Sequence, residues 1–116
     1  ERFDRSWETH IQHDPRKRFL ELRPKEKVSY YIARHIDEGR IFVGCEGDES
    51  DLAHAVKRVG NKPFVYSSDF PHEVNNEFCK HEINEMLENE ELTAADKAAF
   101  LHGNARRFYN LGAPGL

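Results

Sequence analysis

The sequence predicts an α/β fold: one strand-helix-strand unit followed by closing helices. Three observations predict it. Two short, continuous apolar runs, at residues 40–46 and 63–69, read as buried strands of the parallel type. A segment with apolar residues at helical spacing lies between them. Beyond Pro71 the apolar residues recur only at helical spacing, and the segments there begin and end on capping residues.

Taken in order, residues 1–24 are polar, with Trp7, Ile11, Phe19 and Leu20 as isolated apolar anchors and no sustained period, which predicts an irregular lead-in with at most one helical turn. In residues 25–35, Val28, Tyr31, Ile32 and His35 have helical spacing, yet Ser29 and Tyr30 fit a strand equally well. Residues 40–46, Arg-Ile-Phe-Val-Gly-Cys-Glu, enter after Gly39 and close at Gly47-Asp48, the pattern of a strand buried on both faces. Asp48 or Ser50 is the expected cap of a helix over residues 51–59, with Leu52, Ala55, Val56 and Val59 as its apolar stripe and Gly60-Asn61 as its stop. Residues 63–69, Pro-Phe-Val-Tyr-Ser-Ser-Asp, form the second strand. A strand-helix-strand unit joins parallel neighbours through a crossover, so Glu46 and Asp69 are expected at the same sheet edge.

After Pro71, Asn75 or Asn76 caps a helix running to about Glu88 with Cys79, Ile83, Met86 and Leu87 as its stripe. Thr93 with Asp96 reads as a capping box opening residues 94–102, which Gly103 ends. Asn104 caps a last short helix, residues 105–111, before Gly112 and Pro114 stop it and the tail frays. The expected organisation is therefore residues 1–24 as lead-in, 25–72 as the strand-helix-strand unit, and 73–116 as closing helices and tail.

The 116 residues carry a formal net charge of −4, with 38% hydrophobic and 33% charged residues and a mean hydropathy of −0.82. Basic and acidic residues are interspersed even around Arg16-Lys17-Arg18, which argues against a nucleic-acid partner. No run reaches the roughly 18 apolar residues of a membrane span, so a soluble protein without a membrane partner is expected. Cys45 and Cys79 have no CxxC spacing and read as small buried hydrophobes, which fits a reducing, cytoplasmic setting. A first residue of Glu rather than Met leads to the expectation that the chain is a processed or excised piece.

The string Phe64-Val65-Tyr66-Ser67-Ser68-Asp69-Phe70-Pro71-His72 resembles the final barrel strand of the amidohydrolase-related family that includes aminocarboxymuconate semialdehyde decarboxylase, where an apolar strand ends in Ser-Asp-aromatic-Pro-His. Downstream, Leu92-Thr93, Asp96-Lys97 and Gly103-Asn104-Ala105-Arg106-Arg107-Phe108-Tyr109-Asn110-Leu111 are similar to that family's closing helices. Residues 22–31 match the segment before its seventh strand more weakly. The resemblance covers about residues 20–111 and implies the C-terminal βαβ-plus-helices portion of a (β/α)8 barrel, in which reacting groups sit at the C-terminal strand ends. It implies that Asp69 ligates a catalytic divalent metal, zinc, or handles the proton of its water. It further implies a small-molecule substrate that is hydrolysed or decarboxylated. The family's remaining ligands come from a His-x-His pair and a further histidine on earlier strands. The histidines here, His10, His13, His35, His54, His72, His81 and His102, include no His-x-His, so the chain alone is expected to be inactive.

Among the secondary candidates, His72 either orients Asp69, touches substrate or packs beside Pro71. Glu46 reaches the same mouth as a substrate-pocket residue or serves as a loop acid. Ser67 and Ser68, lacking a His-Asp partner at recognisable spacing, are expected to satisfy backbone groups at the strand end. Arg106 and Arg107 are expected to make ion pairs or bind carbonyls near a helix end. His10 and His13, three apart, lack a further ligand at set spacing. The rival reading is a stand-alone, non-catalytic α/β interaction module. Under either reading two parallel strands leave open edges, so self-association or association with the missing barrel portion is expected.

Overall fold

The computed structural model describes residues 2–10 and 22–112. His13, Ile11, Phe19, Leu20, the Arg16-Lys17-Arg18 run and the tail from Ala113 lie outside the described residues. The chain divides into two compact units, residues 1–40 and 41–116.

The first unit holds helices α1, Arg2–Thr9, and α2, Val28–Asp37. α1 falls within the stretch expected to be irregular, and its eight residues exceed the single turn foreseen. Its sequence has no conventional N-terminal cap, and local pattern gave no start signal. α2 resolves the strand-or-helix ambiguity of residues 25–35 in favour of helix. Its N-cap residue, Lys27, makes no side-chain cap. Asp4 of α1 serves instead: its carboxylate accepts from the Ser29 N–H at 2.8 Å and from the Ser29 hydroxyl at 2.7 Å. A free N–H in the first turn of a helix is thereby satisfied from another helix. These bonds hold the Asp4 carboxyl below the usual range. Glu26 binds Arg34 through both oxygens, at 3.0 and 3.1 Å.

The second unit begins with strand β1, Val43–Cys45, followed by α3, Leu52–Val59, and β2, Phe64–Tyr66. The strands pair in parallel, with Val43 opposite Phe64 and Cys45 opposite Tyr66. The strand-helix-strand order is as expected, but each strand is only three residues long. Burial of β1 on both faces is not observed: Val43 is 47% exposed and Gly44 is exposed, while Cys45 is buried. Among the described residues, helices pack one side of this two-stranded sheet. The other side leaves a hollow of about 270 Å³ lined by residues that include Phe42, Val43, Val65, Phe108 and Tyr109.

Three residues of the expected α3 stripe turn inward, Leu52 buried and Ala55 and Val56 partly so; Ala53 joins them in the core, while Val59 is exposed. Neither Asp48 nor Ser50 caps it; Asp51 occupies the N-cap position without a side-chain bond. Gly60 ends the helix at φ 78°, ψ −179°, a conformation that costs a residue with a Cβ.

α4, Asn76–Glu88, opens as expected, with the Asn75 side chain accepting from the Phe78 N–H at 2.9 Å. Its inward stripe is Cys79, Glu82, Ile83 and Met86, whereas Leu87 faces out. α5, Ala94–Ala98, carries the full reciprocal Thr93–Asp96 capping box. Gly103 and Asn104 do not divide two helices. The chain passes from α5 through a π-helical turn, Ala99–Gly103, directly into α6, Asn104–Phe108, with Gly103 and Asn104 both in right-handed helical conformation. The wider turn lets both Phe100 and Asn104 be buried. Phe100 meets Phe64 edge-on at 5.7 Å between ring centres, and it joins Cys45, Leu52, Ala53, Met86 and Leu92 in one core. No helix among the described residues is long and apolar enough to cross a membrane.

Candidate functional site

The parallel register fixes where the candidate residues emerge. Cys45 and Tyr66 end their strands side by side, and the Ser67 N–H donates to the Cys45 carbonyl at 2.9 Å, carrying the pairing one residue further. Glu46 follows immediately on one strand, and Asp69 comes three residues after the other. Both leave from the C-terminal edge of the sheet, and both are exposed.

Asp69 takes a left-handed conformation, φ 55°, that aspartate tolerates better than most residues. It opens a four-residue turn closed by the His72 N–H, which donates to the Asp69 carbonyl at 2.8 Å, with the Phe70–Pro71 bond cis. The link between Asp69 and His72 thus runs through the main chain, and the His72 side chain is exposed. Ser68 Oγ accepts from the Phe70 N–H at 3.3 Å, the backbone service expected of these serines.

Glu46 has neighbours that the sequence did not reveal. Oxygen atoms of Glu46, Asp48 and Glu82 lie within 4.8 Å of one another. Glu82 is only 2% exposed. Burial pushes its carboxyl up from the ordinary range, and the nearby charges of Asp48 and Glu46 add to the effect; bonds from Tyr66 and the Gly47 backbone oppose it. The Tyr66 hydroxyl is within 3.4 Å of Glu82 Oε2 and 3.5 Å of the Cys79 carbonyl. Burial, with the Glu82 charge beside it, pushes Tyr66 up to about 12, so the phenol stays a neutral donor. Gly47 is where the loop meets α4: a Cβ there would fall 2.1 Å from the Glu82 carbonyl oxygen. The one signal in the sequence was an acid, Glu82, spaced to fall on the apolar stripe of α4 between Cys79 and Met86.

Elsewhere the arrangement is structural. Cys45 is buried, and burial pushes its thiol up to about 12, the state of an unreactive hydrophobe. Cys79 is half-buried, and both thiols are free. Arg107 binds the Lys62 carbonyl at 2.7 Å, as expected of a residue near a helix end.

The chain belongs to the amidohydrolase family: the family model described as Amidohydrolase matches residues 11–111, nearly its whole length. No curated protein and no solved structure matches it significantly.

Proposed function

We propose that this chain is the C-terminal portion of a (β/α)8-barrel enzyme of the aminocarboxymuconate semialdehyde decarboxylase-like group, a metal-dependent hydrolase or decarboxylase of a small organic substrate. In this reading residues 25–72 are its last strand-helix-strand unit, residues 73–116 its closing helices, and residues 1–24 its lead-in. One observation carries the reading. β1 and β2 pair in parallel across α3 and send Glu46 and Asp69 out of one edge, within the span that matches the family. In such barrels that edge surrounds the substrate.

Asp69 is the metal ligand or the general base, and His72 and Glu46 line the mouth. A divalent metal, zinc in this reading, supplies Lewis acidity when bound. The described residues of this chain do not fit a complete site for it. Asp69 belongs to no group of three potential ligands among them, and the cluster of Glu46, Asp48 and Glu82 is purely acidic, an arrangement common without any ion. What the chain itself offers at the edge is an exposed carboxylate, free to accept a proton or a hydrogen bond from a substrate group. Alone, the chain is catalytically silent.

The uncovered sheet face supports association with a second copy or with the missing barrel portion. Phe108 and Tyr109, which line the hollow there, are large, aromatic and exposed. The same face favours the alternative, a non-catalytic interaction module. The two free thiols suit a reducing, cytoplasmic setting, and the net charge of −4 gives no support to a nucleic-acid partner.

Native mass spectrometry with metal analysis separates the two readings. An assembly larger than the 13.6 kDa chain that holds divalent metal, lost on Asp69→Ala, is the expected result for the enzyme. A metal-free 13.6 kDa species, unchanged by that substitution, overturns the metal-holding assembly and leaves the chain a catalytically silent remnant or the module.

A further inference from the structure

The three carboxylates at the β1–α3 loop pose a problem of charge that the fold must solve. Glu82 projects from the inward stripe of α4, almost wholly out of water, with Glu46 and Asp48 of the loop within 4.8 Å. The other groups facing it are the Tyr66 hydroxyl from β2 and the Gly47 N–H from the loop, with Cys79 one turn back on α4. His81 and Glu85, also on α4, pair with each other at 3.2 Å on its exposed flank. Among the described residues, the charged groups that act on Glu82 are the acids Asp48 and Glu46.

We propose that a single proton on the buried Glu82 carboxyl acts as a pH-dependent latch, fastening the loop of residues 46–50, which carries Glu46 and Asp48, to α4 when present and loosening it when lost. Three carboxylates this close, one of them desolvated, do not all ionise at little cost. Protonation turns Glu82 from an acceptor into a donor, able to give its hydrogen to a carboxylate of Glu46 or Asp48. Like-charge repulsion then becomes a charge-assisted hydrogen bond between helix and loop. Gly47 packs so tightly on the Glu82 carbonyl that no side chain fits between them, so loop and helix touch directly beside the three carboxyls, and the bond made by the proton holds that contact closed.

The sign follows from linkage. Glu82 is raised above its ordinary 4.5 in the folded chain. Its contribution is complete below 4.5 and is lost as pH rises through the folded value. The loop that carries Glu46 at the strand-end edge is therefore tighter below the folded-state midpoint of Glu82 and looser above it. The inference rests on the packing of loop, β2 and α4, and stands whether or not Asp69 serves a metal.

The test is a carbon-detected titration of the glutamate carboxyls, with hydrogen exchange of the amides of residues 46–50 at several pH values, in the presence of chelator. Glu82 is expected to titrate above 4.5. Loop protection, corrected for the intrinsic pH dependence of exchange, should fall about threefold or more through that midpoint. Glu82→Gln should hold the loop protected across the range. Asp48→Asn, which removes a surface charge and leaves the core intact, should move the Glu82 midpoint down. A Glu82 midpoint at or below 4.5 overturns the latch, as does loop protection indifferent to pH or a Glu82→Gln variant that follows the wild-type curve. Should Glu82→Gln fail to fold, an Asp48→Asn variant with an unmoved midpoint overturns it equally.

Discussion

The Asn104 side-chain amide donates to the Phe64 carbonyl at 2.7 Å and also to the Asn61 carbonyl at 2.6 Å. A residue at the start of the last helix thus closes the backbone at the entrance to β2. Its oxygen is engaged as well, accepting from Arg107 at 3.1 Å. Asn104 is buried, so water does not readily replace these bonds.

Asn104→Ala is therefore expected to destabilise the chain by about 2–3 kcal/mol, because two carbonyls lose their donor in a buried setting. Urea unfolding followed by circular dichroism measures the change. A loss within about 0.5 kcal/mol, the range of ordinary surface substitutions, would show that the two carbonyls find other partners.

Gly47→Ala tests the meeting of the β1–α3 loop with α4. The added Cβ would fall 2.1 Å from a backbone oxygen of α4, which no side-chain rotation relieves. Overpacking of this kind costs about 1–3 kcal/mol. Amide chemical shifts of residues 46–50 should move while those of α6 stay in place. Wild-type stability with unmoved shifts would contradict the observed approach.

The capping box at α5 predicts an acid limit on stability. Burial works to raise the Asp96 carboxyl, but bonds from the Thr93 N–H, Asn61 and the Thr93 hydroxyl outweigh it and leave it below its ordinary 3.8. A carboxyl lowered by folding stabilises above 3.8, and that contribution fades as pH falls through its folded value. Thr93→Ala should cost about 1 kcal/mol near neutrality. Asp96→Asn should lower stability near neutrality and flatten the acid limb below 3.8, as read from melting temperatures between pH 2 and 7. An unchanged acid limb in Asp96→Asn would assign the acid loss to other carboxylates.

Under the proposed enzyme reading, Asp69→Ala made in the complete barrel is expected to lower kcat/KM by about a hundredfold or more, some 2.7 kcal/mol of transition-state stabilisation. The exposed side chain carries little of the fold, so the melting temperature should stay close to wild type. Near-normal turnover would remove Asp69 from the mechanism.

Much of this architecture was legible in the chain. The Asn75 cap and the Thr93–Asp96 box are local signals, each complete within four residues, and the structure contains both. The strand-helix-strand order also followed from local pattern, because apolar run length and helical spacing are properties of neighbouring residues. Asn104 departs from its expected role for the same reason. Asparagine after glycine has the local look of a cap, and only the carbonyls of Asn61 and Phe64, some forty residues earlier, draw it into a continuous helix.

The candidate site divides along the same line. By itself the sequence determined that Glu46 and Asp69 follow two apolar runs on the same sheet edge, because those runs adjoin them; that Asp69 sits in a turn three residues past β2 was not legible. Only the tertiary structure brought Glu82 and Asp48 to Glu46, turned Asp4 into the cap of α2, and left one face of the sheet uncovered. Those features depend on contacts between distant segments. A carboxylate is sensitive to the charges and solvent that surround it in space, and sequence spacing does not specify them.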